Sequence, residues 1–257
     1  MSGSTTTKFK AGDPLNPYDP ASFNLGDEGP AARLDAGTGP ASVLSDMMKD
    51  PSKMKSFMEM MKADMEDAKR RGETMQERAM REKREWAEAD AKSAKLKDEA
   101  NAAFRKGDFK DAFLMYSTCM EISQHEPLYR LNRAAAALQL KLYTTAVKDA
   151  SSCVDDNHNV AKAYFRRSQA LRYLGKLEEA RRDLEKARSM QPKDATLNRE
   201  EEILTNIESM SKDDLSAWVS EQGGRSTDDL FGEKGLDEWV ERKMNEMGAN
   251  LRHQMMF

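Results

Sequence analysis

The chain has almost no cysteine: two in 257 residues, Cys119 and Cys153. A disulfide framework is not expected from so few, and both read as small core residues in a reducing compartment. Histidine is nearly as scarce, with His125, His158 and His253 widely scattered. There is no Cys-His pairing, no metal-ligand spacing and no phosphate-cradling Gly loop, so no metal site, cofactor or catalytic group is expected and an enzyme is not the reading. No apolar run is long enough for a signal peptide or a membrane span, which excludes a membrane partner and implies a soluble protein of the cytosol, with the nucleus also open. A basic run with interleaved aromatics, zinc-finger spacing and a helix-turn-helix cue are all missing, so nucleic acid is not expected as a partner. Proline is confined too: five of the eight fall before residue 41. With Gly, Ser, Thr and Asp around them and no apolar period, residues 1–42 are expected to be disordered.

What the sequence has is a period. Ala112, Ala146 and Ala180 stand thirty-four residues apart, and so do Gly107, Lys141 and Gly175, then Phe109, Tyr143 and Leu177, then Cys119, Cys153 and Ala187. A fixed spacing of this length marks a helical repeat. Each unit reads as two helices. Leu96, Ala100, Ala103 and Phe104 are at helical spacing between Ala94 and Arg105, Lys106-Gly107-Asp108 breaks the pattern, and Ala112, Tyr116 and Cys119 resume it. Small residues recur because two helix backbones approach closely only where no large side chain holds them apart. The fold class is therefore all-α, with three helical repeats at 93–126, 127–160 and 161–192 stacked into a superhelix.

In such a stack the first helix of each pair lines the concave surface. Its polar residues are Lys97 and Asn101 in the first unit, Asn132 in the second, and Lys162 and Arg166 in the third. Residues four apart share one side of a helix, so all five can face one groove. Lys and Arg supply charge and Asn supplies directed N–H groups, a combination suited to a carboxylate. Residues 92–190 carry 19 basic and 13 acidic side chains in a chain whose net charge is −4, so the repeats are its basic part. Basic residues also simply solvate helix faces; five positions filled in this pattern weigh against that reading.

At these residues the chain resembles the tetratricopeptide repeat family. The small residues at positions eight, twenty and twenty-seven of that repeat are matched by Ala100, Ala134 and Ser168, by the three alanines, and by Cys119, Cys153 and Ala187. Lys97, Asn101, Asn132, Lys162 and Arg166 match the carboxylate clamp of tetratricopeptide co-chaperones, within the words Leu-Lys-Asp-Glu-Ala-Asn, Leu-Tyr-Arg-Leu-Asn-Arg and Lys-Ala-Tyr-Phe-Arg-Arg. The resemblance implies a co-chaperone or adaptor that grips the terminal Glu-Glu-Val-Asp of the seventy- and ninety-kilodalton heat-shock chaperones and links them to a client protein. It also implies that Phe104, Ala135 and Gln139 contact the preceding peptide side chains, although Phe104 reads equally well as core. The competing reading is an assembly scaffold that holds an internal acidic or helical segment and needs no free C-terminus.

Outside the repeats the sequence changes character. Residues 43–66 are crowded with methionine, and Met54, Phe57, Met58, Met61 and Met65 fall on one helical face. Thioethers adapt to varied surfaces, so this face is a candidate for a client or partner; folding back on the repeats or self-association are the plainer readings. Residues 67–92 interleave charges and should form a solvated helix running into the first repeat, a coiled coil being the weaker alternative for want of a sustained heptad. Residues 193–210 should cap the stack through Leu197, Ile203, Leu204 and Ile207. In 211–257, Ser211 reads as an N-cap before Leu215, Trp218 and Val219, and the tail is open to either partner docking or self-docking.

Overall fold

The computed structural model describes residues 51–123, 126–156 and 160–248, and among these every regular element is a helix. The Pro-rich segment 1–42, the start of the Met-rich segment and all three histidines lie outside the described residues. Contacts divide the described residues into two units, with the boundary between residues 91 and 92.

The first unit holds α1 (Pro51–Arg71) and the beginning of α2 (Met75–Lys106). Proline suits the opening position of α1, where its missing N–H would have had no partner. Gly72 ends the helix with a φ of 68°, which lets its N–H reach Lys69 O (3.2 Å) and the Glu73 N–H reach Ala68 O (3.0 Å). This paired closure satisfies carbonyls that the helix end would leave bare. Thr74 starts α2 with a capping box: its Oγ1 accepts from the Glu77 N–H (3.2 Å), and the Glu77 carboxylate accepts from the Thr74 N–H (2.8 Å), which lowers the Glu77 pKa. Arg81 reaches back to the Glu73 carboxylate at 3.0 Å. The sequence pattern placed the first repeat helix at Ala94–Arg105. That helix is continuous with the charged segment before it back to Met75, because no Gly or Pro interrupts Met75–Lys106. Pairs such as Arg78–Glu82 (2.8 Å) and Arg81–Glu85 (3.3 Å) also support the intervening turns.

The second unit begins at Lys92 within α2 and continues through α3 (Phe109–Ile122), α4 (Pro127–Gln139), α5 (Tyr143–Asp155), α6 (Val160–Tyr173) and α7 (Leu177–Met190). These form three helical pairs in the thirty-four-residue register. Each pair turns at an equivalent position in left-handed backbone: Gly107 (φ 89°), Lys141 (φ 63°) and Gly175 (φ 74°). Lys141 is the exception in chemistry, since a side chain there is strained where glycine is not. All nine recurrent small residues are fully buried. The Ser168 hydroxyl is accommodated by donating to Ala180 O at 2.7 Å. The Cys119 and Cys153 thiols donate to Ser93 O and Pro127 O, each at 3.4 Å and again thirty-four residues apart. Both cysteines are free, and burial pushes their pKa values up, that of Cys153 to about 12.

Charged staples repeat with the same period. Arg133 on α4 binds Asp149 on α5 (2.7 and 2.8 Å) and Ser117 on α3 (3.2 Å); Arg167 on α6 binds Asp183 on α7 (2.6 and 2.9 Å) and Ser151 on α5 (3.1 Å). Each guanidinium thus ties its own pair to the preceding one through a planar fork that matches the carboxylate. The helix α8 (Ala195–Glu208) closes the stack by burying Leu197, Leu204 and Ile207, with Ile203 half-buried. Glu200 of α8 meets Arg172 of α6 at 2.6 Å, both buried. Burial disfavours the Arg172 charge, but Glu200 outweighs it and the net pKa shift is upward.

The tail docks on the same chain. Helix α9 (Lys212–Gln222) is capped by Ser211, whose Oγ accepts from the Asp214 N–H. Its Trp218 stacks on Tyr173, which stacks on Tyr143, with centroids 5.9 and 4.6 Å apart. The chain then passes the second repeat's turn, where the Arg225 N–H donates to Lys141 O (3.0 Å). It reaches the first repeat's turn in α10 (Thr227–Phe231), with Phe231 stacked on Phe113 (5.6 Å) and Lys110 Nζ bonded to Leu230 O. Finally α11 (Gly235–Glu246) lies against α3, with Val240 and Met244 buried and Met247 beside Leu96, Cys119 and Tyr129. The last described helix of the unit therefore covers the first repeat.

Candidate functional site

The five polar residues singled out above sit on the first helix of each pair. Lys97 and Asn101 are one turn apart on α2, Asn132 is on α4, and Lys162 and Arg166 are one turn apart on α6. Asn101 is 3% exposed, Asn132 0% and Arg166 3%, while Lys97 and Lys162 are half-buried. This is an unusual set to withdraw from water, because buried polar groups in proteins nearly always have partners.

Tyr116, on the second helix of the first pair, orders one end. Its hydroxyl donates to Asn101 Oδ1 at 2.6 Å, so the donors left to Asn101 are its Nδ2 hydrogens. Burial pushes the Tyr116 pKa up, and the Arg166 charge pulls the other way, which places Arg166 in the same neighbourhood. The Arg166 guanidinium donates to Leu131 O, the carbonyl next to Asn132. Its pKa is pulled down to about 10 by burial, with Cys153 and Tyr116 opposing, so it is charged at neutral pH in a dry setting. Lys97 lies 3.4 Å from Asp98, and its charge reaches the Cys119 thiol beneath.

Asn132 is the anomaly. Both amide atoms, Oδ1 and Nδ2, are buried and lack a hydrogen-bond partner among the described residues. An amide in that condition costs about 1–3 kcal/mol for each group left unsatisfied. Arg166 bonds the carbonyl next to Asn132, and its charge reaches Tyr116, the partner of Asn101, so these helices carry amide donors and a desolvated cation in one neighbourhood. Chemically this suits an anion with two acceptor oxygens.

The peptide-groove residues are placed differently. Phe104 and Ala135 are fully buried in the core of the repeats, Phe104 edge-on to Phe109 with centroids 5.1 Å apart. Gln139 is half-buried, and its Nε2 has no partner among the described residues. Met54, Met58 and Met65 stand on α1, in the other unit; the side chains of Phe57 and Met61 lie outside the described residues. Two groups escaped the sequence reading. Tyr116 looked like packing alone, and Gln169, one turn beyond Arg166, is buried with its Nε2 3.4 Å from Glu200 and its Oε1 unpartnered. Its spacing from Arg166 was the available signal for Gln169; Tyr116 had none beyond its apolar period.

Comparison with known proteins bears on this region. The tetratricopeptide repeat model matches residues 161–194, the third helical pair. The chain is similar to mouse protein unc-45 homolog B, 34% identical over 166 residues, which are 63% of this chain and 17% of that protein. It is similar to Arabidopsis thaliana Hsp70-Hsp90 organizing protein 2, 32% identical over 154 residues, 57% of this chain and 26% of that protein. The chain thus spans a minor part of the length of the curated relatives it matches. Among solved structures, the first TPR of Spaghetti (RPAP3), bound to an HSP90 peptide SRMEEVD, is 30% identical at a TM-score of 0.44 and is covered over 95% of its length by 47% of this chain. With its third pair matched and the two preceding pairs built on the same register, turns and buried small residues, the chain belongs to the tetratricopeptide repeat family.

Proposed function

We propose that the chain is a non-enzymatic co-chaperone adaptor. In this reading the groove holds the C-terminal carboxylate and the last Asp side chain of the Glu-Glu-Val-Asp tails of seventy- and ninety-kilodalton heat-shock chaperones, and the protein links them to a client. The observation that carries the reading is the Asn132 amide, buried with neither atom partnered among the described residues. A terminal carboxylate accepts from Asn132 Nδ2, Asn101 Nδ2 and the Lys97 ammonium, while Lys162 and Arg166 take the adjacent side-chain carboxylate. Charge-assisted bonds to two carboxylates in a short extended peptide give an affinity near micromolar, about −8 kcal/mol, suited to exchange on an abundant partner. The chaperone peptide in the Spaghetti complex and the name of the Arabidopsis relative support this partner class. Buried free thiols fit a reducing compartment, the cytosol or nucleus, and no described helix is long and apolar enough to cross a membrane.

The test is calorimetric titration of the full chain with the free acid Met-Glu-Glu-Val-Asp, on wild type and on Lys162→Ala with Arg166→Ala. Micromolar binding lost in the double variant is the expected result. Undiminished binding by the variant would remove these residues from the site.

A further inference from the structure

Helix α1 carries a surface that the groove does not use. At about 100° per residue, the sequence of α1 sorts into sectors. Met54, Met58 and Met65 share one sector, and Lys55, Lys62 and Lys69, spaced seven apart, form a row about 40° wide along one border of it. Met58 is 64% exposed and Met65 56%, and with Lys62, Lys69 and Glu66 they line an open groove. Lys55 pairs with Glu59 at 3.9 Å, but Lys62 and Lys69 have no ion-pair partner among the described residues. The C-terminal end of α1 closes at Gly72 as described above, next to the buried Ala68.

Exposed methionines side by side leave apolar surface wet, and their flexible thioethers conform to an apolar partner surface. The lysine row decides which partner. A second copy laid antiparallel on this face would set lysine row against lysine row, a like-charge contact that opposes pairing. A helix bringing carboxylates along that border meets two unpaired ammonium groups. We propose that α1 is a docking site for an acidic amphipathic helix of a partner protein, with the partner's apolar stripe on Met54, Met58 and Met65 and its carboxylates on Lys62 and Lys69. This surface is independent of the repeat groove, so the two proposals stand or fall separately.

The probe is a synthetic three-heptad helix with Leu at its core positions and Glu at the flanking ones, beside a twin carrying Lys in place of Glu. Binding of each to the full chain is measured by calorimetry. The Glu helix should bind at least about tenfold more tightly than its Lys twin. Met58→Asp with Met65→Asp should abolish that binding and leave the Met-Glu-Glu-Val-Asp titration as in wild type. Lys62→Glu with Lys69→Glu should reverse the preference between the twins, a readout that mere damage to the helix does not produce. Failure of the Glu helix to bind, equal binding of the twins, or indifference to the Met58 and Met65 substitutions would each overturn the proposal. So would concentration-dependent dimerisation in sedimentation that Met58→Asp abolishes, which would make a second copy the occupant, or binding to vesicles of anionic lipid in preference to the Glu helix.

Discussion

Replacing Asn132 by Leu should make the free protein more stable and its groove useless. Leu has the same number of side-chain heavy atoms branched at the same carbon, so the shape of the site is nearly kept. What disappears is a buried amide whose Oδ1 and Nδ2 both lack partners among the described residues. Each unsatisfied group costs about 1–3 kcal/mol, and part of the relief is offset by fitting two tetrahedral methyls where a planar amide lay. A net gain of about 1–2 kcal/mol follows. At about 2–4 °C per kcal/mol for a unit of this size, differential scanning calorimetry should show a raised Tm. The same change removes hydrogen bonds to a charged ligand, about 1.5–3 kcal/mol, and should weaken binding of the free-acid peptide by roughly ten- to a hundredfold. Stability and function then move in opposite directions, as they do where a site is kept strained for its ligand. A drop in Tm of Asn132→Leu would refute the reasoning, because it would mean that the amide is satisfied in the free protein and serves the fold.

Other perturbations test the scaffold. Asp149→Ala strands the Arg133 guanidinium against Ser117 and should cost about 2–4 kcal/mol in urea unfolding, with the double variant Arg133→Ala, Asp149→Ala recovering part of the loss. Lys141→Gly relieves the one left-handed non-glycine turn among the described residues and should stabilise by about 0.5–1 kcal/mol, net of the unfolded-state entropy that glycine adds. Trp218→Ala removes the outer ring of the stack on Tyr173 and Tyr143 and should destabilise the repeat unit by about 1–3 kcal/mol; no change would mean that the tail contributes nothing to the repeats. With its thiol pushed up to about 12 from an ordinary value near 9, Cys153 carries about a thousandfold less thiolate at pH 8 than a free cysteine. Alkylation by iodoacetamide should therefore be negligible in the native protein and complete in urea, with native labelling rising only as the pH climbs toward 12.

The parts legible in the sequence were those that repeat. Ala112, Ala146 and Ala180 each report the same close helix contact, so a local rule applied three times marks the whole stack. Gly107 and Gly175 exposed the turns, and Lys141, an unlikely residue for such backbone, could be placed only through its partners in the period. Ser211 was readable because a cap is local: its side chain accepts from a backbone N–H three residues ahead. What stayed hidden is non-local and occurs once. Trp218 meets Tyr173 forty-five residues away, and Phe231 meets Phe113, contacts that leave no periodic trace. The charged segment before the first repeat was expected as a helix, but where it begins was not legible, since a charged, amphipathically weak helix lacks the apolar rhythm that marks a boundary. In the groove, spacing placed Lys97, Asn101, Asn132, Lys162 and Arg166 on three inner helices. It could not reveal that Asn132 is unpartnered, that Tyr116 holds Asn101, or that Phe104 and Ala135 are wholly enclosed.

The central claim is that the groove reads a chain end. The direct measurement is calorimetric titration of the wild-type chain with Met-Glu-Glu-Val-Asp as the free acid and as the C-terminal amide. Micromolar binding of the acid with at least about a hundredfold loss for the amide is the predicted result, because amidation removes the charge and an acceptor from the most buried part of the site. Equal binding of the two peptides would contradict it and turn the groove into a holder of internal acidic segments.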